Sequence, residues 1–206
     1  YISRYWADPS RATQIDRRLK SDTKLSSEDM KSILNEITAP FSQQYAPLFV
    51  EKYTLGFSDN SDEIYRMLLD WDGIESLDSK GAVAFHAIYI HLVQNIFQDE
   101  LQSFGDGSFD TFYSLKYIRT QAIRSIFDGR TNLWVDNVKT AKKENLNDIV
   151  NKSFEDAFNF LDEKYGNPSN LTWGDVHQVT FRHRLDGDPL VKRLITVSYT
   201  HLRAHE

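Results

Sequence analysis

Residues 81–101 constrain the fold most, because they predict a helix that is apolar around nearly its whole circumference. A helix of that kind usually lies at the centre of a domain. The stretch is interrupted by His86, His91, Gln94 and Asn95. A membrane span needs about 20 nearly unbroken apolar residues. The sequence therefore predicts a buried central helix and no membrane span.

Most of the remaining chain also has helical spacing. Apolar residues recur three or four positions apart over 11–20, 26–37, 42–54, 61–71, 109–127 and 145–165. Pro40 is expected to end the second of these helices. Residues 176–183 alternate instead, which predicts a β-strand over about 174–184. The predicted fold class is a mostly α-helical chain, with a helical region over 1–170 and a C-terminal β-strand.

Composition narrows the functional classes. The 206 residues allow one domain, or one domain with an appendage. The absence of cysteine excludes disulfides, cysteine-based zinc sites, iron–sulfur clusters and thiol nucleophiles. With 24 basic and 30 acidic residues, the net charge of −6 argues against a general nucleic-acid binder. A single strand is unstable alone and the first residue is not Met, so we expect a piece of a larger protein.

The histidines and clustered carboxylates do not form a recognisable catalytic motif. The Gly-x-Ser-x-Gly elbow and the glycine loops that bind phosphates or dinucleotides are absent. His86 and His91 lie five residues apart rather than four, and we interpret them as buried or half-buried structural residues. His177 and His183 would lie about 20 Å apart along a strand, too far to share a metal. The carboxylates at 59–62 are interpreted as solvated turns and helix caps.

The last ten residues carry two competing interpretations. His201 and His205 are spaced so that both imidazoles would face one side of a helix, as in a metal-binding pair. However, Val-Ser-Tyr-Thr-His-Leu-Arg-Ala-His-Glu at 197–206 resembles one reading frame of a transposase adaptor used in preparing sequencing libraries. We predict that residues 197–206 are not native.

Three stretches of the chain form an ordered series. They read Tyr-Trp-Ala-Asp-Pro-Ser-Arg-Ala-Thr-Gln-Ile-Asp-Arg at 5–17 (then Leu-Ser-Ser-Glu-Asp at 25–29), Leu-Leu-Asp-Trp-Asp-Gly at 68–73, and Thr-Trp-Gly-Asp-Val-His-Gln-Val-Thr-Phe-Arg-His at 172–183. In this order and spacing they resemble the penicillin acylase family of N-terminal-nucleophile hydrolases. The resemblance implies that residues 1–196 come from the interior of the family's β chain, whose intact fold is an αββα sandwich of the α+β class.

The resemblance also implies a chemistry. In this family the β chain begins with a Ser whose hydroxyl attacks an amide while its own α-amine acts as the base. Backbone N–H groups and an Asn stabilise the oxyanion. These residues precede Tyr1 in such proteins, so the chain alone is expected to be inactive. Arg11 matches the family's catalytic-site arginine. The alternative is that Arg11 merely begins a helix and pairs with a surface acid.

Cofactor, partners and location are also implied only by the resemblance. Calcium is possible in the intact protein, with ligands outside this chain. The expected partners are a small-molecule amide substrate, the α chain and the N-terminal part of the β chain, with no nucleic acid. Such enzymes are typically exported to the bacterial periplasm or beyond. The alternatives are a non-catalytic helical interaction module or, within the family, an acyl-homoserine-lactone or cephalosporin acylase.

Overall fold

The structure, a computed structural model, describes residues 9–21, 24–181 and 197–199. The described residues are mostly helical. Their elements are α1 (Ser10–Ser21), α2 (Ser27–Leu34), α3 (Pro40–Lys52), α4 (Asp59–Leu68), α5 (Lys80–Ser103), α6 (Ser108–Ser114), α7 (Lys116–Phe127), α8 (Leu146–Tyr165), α9 (Trp173–Val176), β1 (Val179–Phe181) and β2 (Val197–Tyr199).

Helix α5 lies at the centre and packs against α4 and α8. It begins at Ser79, whose hydroxyl accepts the N–H of Ala82 at 3.1 Å and so caps the first turn. Its side chains are buried around most of its circumference, including those of Phe85, Ile88 and Leu92. The prediction of a central helix over 81–101 is therefore confirmed. No helix in the described part of the chain is both long enough and apolar enough to cross a membrane.

Stacked aromatic rings join α5 to its neighbours. Phe85 of α5 stacks on Phe49 of α3 with ring centroids 5.3 Å apart, and Phe49 contacts Phe127 of α7 at 5.1 Å. Tyr53, just after α3, stacks on Phe154 of α8 at 4.5 Å. Aromatic pairs of this kind add specific attraction to the burial of their area. One contiguous core therefore spans α3, α4, α5, α7 and α8.

Helix α2 is shorter than its apolar spacing predicts. It begins with a capping box in which Ser26 and Asp29 exchange hydrogen bonds with each other's backbone, and it ends at Leu34. Pro40 does not end it. Pro40 occupies the first turn of α3, where its missing N–H would have no partner anyway. The prediction that Pro40 terminates the second helix was therefore wrong, because proline also begins helices.

Residues 109–127 form two helices rather than the one predicted. The backbone of Leu115 has φ −87° and ψ 77°, outside the helical region, and it separates α6 from α7. The apolar spacing continues across this break, so the break could not be predicted from the spacing. By contrast, α8 begins and ends within one residue of its predicted bounds, with Asn145 as its capping residue.

The predicted strand over 174–184 was wrong at its beginning. Thr172 and Asp175 form a capping box, and the chain turns through α9 before it extends. Residues 179–181 form β1, antiparallel to β2, with Val179 opposite Tyr199. Residues 182–184 lie outside the described residues. The αββα sandwich and the adaptor origin of residues 197–206 stay predictions.

Candidate functional site

Arg11, the predicted catalytic residue, lies in the first turn of α1 with its side chain exposed. Its Nη2 donates to the carbonyl oxygen of Leu34 at 3.2 Å. Leu34 is the last residue of α2, where helix carbonyls have no partner within the helix and carry partial negative charge. The end of α2 therefore holds the guanidinium of Arg11 in place.

No described carboxylate forms an ion pair with Arg11. Its neighbour on α1, Arg18, behaves differently, because Arg18 Nη1 lies 3.6 Å from Glu36 Oε2 and Nη2 donates to Ser32 at 3.1 Å. The hydroxyl of Thr38 and then Arg18 hold the pKa of Glu36 below its ordinary value. As the alternative interpretation had it, Arg11 begins a helix, but in the described part of the chain it binds a backbone carbonyl rather than an acid.

Two of the three resembling stretches bind the same segment, residues 74–79. Trp71 Nε1 donates to the carbonyl of Ile74 at 3.0 Å. The N–H of Trp173 donates to the Ser79 carbonyl at 3.0 Å, and the N–H of Gly174 donates to the Leu77 carbonyl at 2.8 Å. Segment 74–79, which leads from Trp-Asp-Gly into α5, is therefore held between the two motifs. Trp173 is buried in the core, while Trp71 is half-buried.

Close packing explains the glycine that follows this segment. Gly81 lies against the indole of Trp71, so that a Cβ at this position would come within 2.2 Å of the ring. Real Cβ atoms essentially never approach a neighbouring atom so closely. Gly81 lets the first turn of α5 rest directly on Trp71. Hydrogen bonds and close packing accordingly join residues 71–81 and 172–174.

The histidines have structural partners. The rings of His86 and His177 both stack on the indole of Trp173, with ring centroids 4.6 Å and 4.5 Å from it. His86 Nε2 also lies 2.7 Å from Glu75 Oε1. His91 is half-buried against Phe160, and burial lowers its pKa, so its imidazole is neutral at pH 7. His86 and His91 are both half-buried, as interpreted from the sequence. His183, His201 and His205 lie outside the described residues.

Of the two carboxylates at 59–62, Asp62 does not fit the interpretation as a solvated residue. It was interpreted as solvated, but it is buried and accepts hydrogen bonds from the Tyr53 hydroxyl at 2.5 Å and the Gly56 N–H at 2.9 Å. The bond from Tyr53 lowers the pKa of Asp62, and burial followed by Asp62 raises the pKa of Tyr53. Nothing in the local sequence distinguishes Asp62 from the exposed Asp59.

Calcium finds no matching site in the part of the chain that is described. No group of three or more His, Asp or Glu side chains there is arranged to hold a metal ion. Calcium usually takes six to eight oxygen ligands. These residues therefore do not fit a calcium site, and no step proposed below passes through a metal.

Comparison with known proteins gives one positive result. A search of curated proteins found no match. The family model described as Penicillin amidase matches residues 1–204, nearly the whole chain. The match includes Arg11 and all three resembling stretches. The chain therefore belongs to the penicillin amidase family, whose members are hydrolases that act on amide bonds.

Proposed function

We propose that this chain is part of a penicillin acylase-like enzyme that hydrolyses a linear amide to a carboxylic acid and an amine. The observation that carries the proposal is the family match over residues 1–204. The arrangement of the chain is consistent with it, because the Trp-Asp-Gly and Trp-Gly motifs both bind segment 74–79. Nothing about that segment is catalytic in itself.

The proposed reaction proceeds through an acyl-enzyme. The hydroxyl oxygen of an N-terminal Ser bonds to the amide carbon, and the serine α-amine takes the hydroxyl proton and transfers it to the departing amine. The C–N bond breaks and an ester remains on the serine. Water then attacks the ester, releases the acid and restores the serine hydroxyl. In the intact enzyme the serine and an oxyanion-binding Asn would come from upstream of Tyr1.

Arg11 is the residue of this chain that we assign to the reaction. Its guanidinium is exposed, carries no ion pair to a described carboxylate, and is anchored through a single bond to the Leu34 carbonyl. Its other N–H donors have no partner among the described residues, which leaves them available to orient the Asn, to hold the substrate or to favour developing negative charge. Binding to a helix end places the charge without neutralising it.

The proposed partners are the α chain and the N-terminal part of the β chain. Apolar side chains near Arg11 and on segment 74–79 are partly or largely exposed, which suits a surface that packs against other polypeptide. They are Leu19 (42%), Met30 (46%), Leu34 (67%), Ile37 (36%), Ile74 (37%) and Leu77 (40%). We further propose that the intact enzyme is exported to the periplasm or beyond, and that any calcium it binds is held by residues outside this chain.

The chain alone should not turn over an amide. We expect no release of amine or acid when the purified chain is incubated with phenylacetyl and longer acyl amides, because no serine with a free α-amine is present. Measurable hydrolysis that increases in proportion to chain concentration would contradict both the assignment of the nucleophile and the fragment interpretation.

Substitution of Arg11 in the enzyme encoded by the whole source gene tests its role. Arg11→Ala should lower kcat/KM by about 100-fold, the usual loss when one charge-stabilising donor is removed. Arg17→Ala is the matched control, since Arg17 is also exposed on α1, and should retain full activity. If Arg11→Ala folds, self-cleaves and remains fully active, Arg11 is not catalytic.

A further inference from the structure

A stretch without helix, residues 131–144, crosses the C-terminal half of α5. We call it the strap. The N–H of Val138 donates to Asp99 Oδ2 at 2.7 Å, and Lys139 Nζ donates to Gln102 Oε1 at 2.9 Å. Trp134 contacts Phe97 with ring centroids 5.8 Å apart. The strap is therefore attached to α5 by one buried carboxylate, one exposed polar contact and one aromatic pair.

The strap is folded on itself by carboxylates that accept backbone N–H groups. Asp136 Oδ1 accepts the N–H of Glu144 at 2.9 Å, and Glu144 Oε2 accepts the N–H of Asn137 at 3.2 Å. Glu144 Oε1 also accepts the Thr140 hydroxyl at 2.7 Å. These bonds give the strap its own shape. Its buried attachments are the Asp99 bond to α5 and the side chain of Val135, which is 5% exposed and belongs to the core.

Beside that connection lies a second carboxyl group with no compensating donor. Asp99 is only 6% exposed, and the next residue, Glu100, places its Oε2 out of solvent with no hydrogen-bond partner among the described residues. Burial, followed by the neighbouring Asp99 carboxylate, raises the pKa of Glu100 to about 7. Asp136 of the strap adds further negative charge near Glu100.

Two lysines near this end of α5 pair with other acids, and a third binds a neutral side chain. Lys142 of the strap pairs with Asp148 of α8 at 2.8 Å, and Lys152 of α8 pairs with Asp156. Lys139 binds the neutral Gln102. On α6 the nearest acid in sequence, Asp110, is exposed. No cation of the described residues is among the groups that shift the pKa of Glu100, so ionised Glu100 would face Asp99 and Asp136 without an opposing charge from them.

The strap also forms part of a wall around an apolar cavity of about 330 Å³. Phe97 of α5, Phe112 of α6 and Ile126 of α7 line the cavity, and Thr131 and Trp134 close it from the strap. Movement of the strap away from α5 would expose these aromatic side chains to solvent. The cost of that exposure opposes release while Glu100 is neutral.

We propose that the strap is a pH-sensitive cover, closed over α5 and the cavity while Glu100 is protonated and loosened when Glu100 ionises beside Asp99. The direction follows from linkage. The pKa of Glu100 is raised from 4.5 to about 7 in the closed chain, and the part of that rise that the strap causes favours closure, most strongly below pH 4.5. That advantage is lost progressively as the pH rises through 7. The strap is accordingly tighter in mildly acidic than in alkaline solution.

Hydrogen exchange of the Val138 amide in the full chain tests this proposal. Its protection factor, the ratio of the intrinsic to the observed exchange rate at each pH, should fall between pH 6 and pH 8, by up to about tenfold if the pKa of Glu100 returns from about 7 to 4.5 when the strap opens. The Thr54 amide is the internal control. It donates to the neutral side chain of Asn151 at 2.8 Å, so its protection should not change.

Two variants sharpen the result. Glu100→Gln should make the Val138 protection factor the same at both pH values, whereas Glu163→Gln, at an exposed position of α8, should retain the wild-type change. Equal protection of Val138 at both pH values in the wild type, or a retained tenfold change in Glu100→Gln, would overturn the proposal. If Glu100→Gln does not fold, the comparison of Val138 with Thr54 in the wild type decides alone.

Discussion

Helices α8 and α2 show the same sequence pattern but differ in how much of the apolar face is buried. Both start with a capping box and both carry apolar residues at helical spacing. In α8 that stripe is enclosed by α4 and α5, and Phe154 is 0% exposed. In α2 only Ile33 is enclosed, while Met30 and Leu34 are 46% and 67% exposed.

Apolar spacing thus indicates which face of a helix can be buried, but not which part of the protein buries it. For α8 the covering helices belong to the described part of this chain. For α2 they do not, and Arg11 lies beside this open face with its guanidinium on the last carbonyl of α2. Membership of the penicillin amidase family supplies an explanation, since the remainder of a larger enzyme would cover it.

The largest expected contrast comes from one substitution in each helix. Phe154→Ala should lower the free energy of unfolding by about 3–5 kcal/mol, because it leaves a cavity among fully buried rings. Leu34→Ala, at an exposed site in this chain, should change it by about 0.5 kcal/mol or less. Urea unfolding followed by circular dichroism measures both. Equal losses would show that α2 is already covered.

A smaller loss of stability should follow from adding a methyl group where Gly81 contacts Trp71. Gly81→Ala forces a methyl group into the indole ring, and overpacking of this kind costs about 1–3 kcal/mol. Gly174→Ala is the milder control, because its Cβ would meet its nearest neighbour, the Leu77 carbonyl, at 3.2 Å rather than 2.2 Å. A thermal melt in which Gly81→Ala is the more stable of the two would contradict the packing of this junction.

The smallest effect concerns Asp62 and depends on pH. Its pKa is lowered in the folded chain, first by the Tyr53 hydroxyl, so its stabilisation is complete above the ordinary value of 3.8 and is lost as the pH falls through the folded value. Asp62→Asn should therefore lower the urea midpoint at pH 7, with the difference from wild type shrinking below about pH 4. Asp59→Asn, at an exposed site, should show no such dependence.

The sequence predicted the elements whose signals are local. Helix α5 and helix α8 were expected from apolar spacing and were found within two residues of their predicted ends. Helices α6 and α7 were merged in the prediction, because the break at Leu115 leaves the spacing intact. The start of the predicted strand was misplaced, because the capping box of Thr172 and Asp175 adds a short helix.

The candidate site, like the fold, could be predicted from the sequence only in part. Arg11 could be proposed from the resembling stretch around it, but its bond to the Leu34 carbonyl depends on how α1 and α2 pack. The burial of Asp62 and the isolation of Glu100 depend on residues distant in sequence or on the fold of the strap. Local patterns contain no information about those contacts.

We propose that, in the intact enzyme, other polypeptide covers the open face of α2. The most direct measurement is hydrogen exchange of the α2 amides, Ser27–Leu34, in the chain alone and in the protein encoded by the whole source gene. The account predicts rapid exchange in the chain and strong protection in the whole protein, with α8 equally protected in both. Equal exchange of α2 in the two proteins would contradict it.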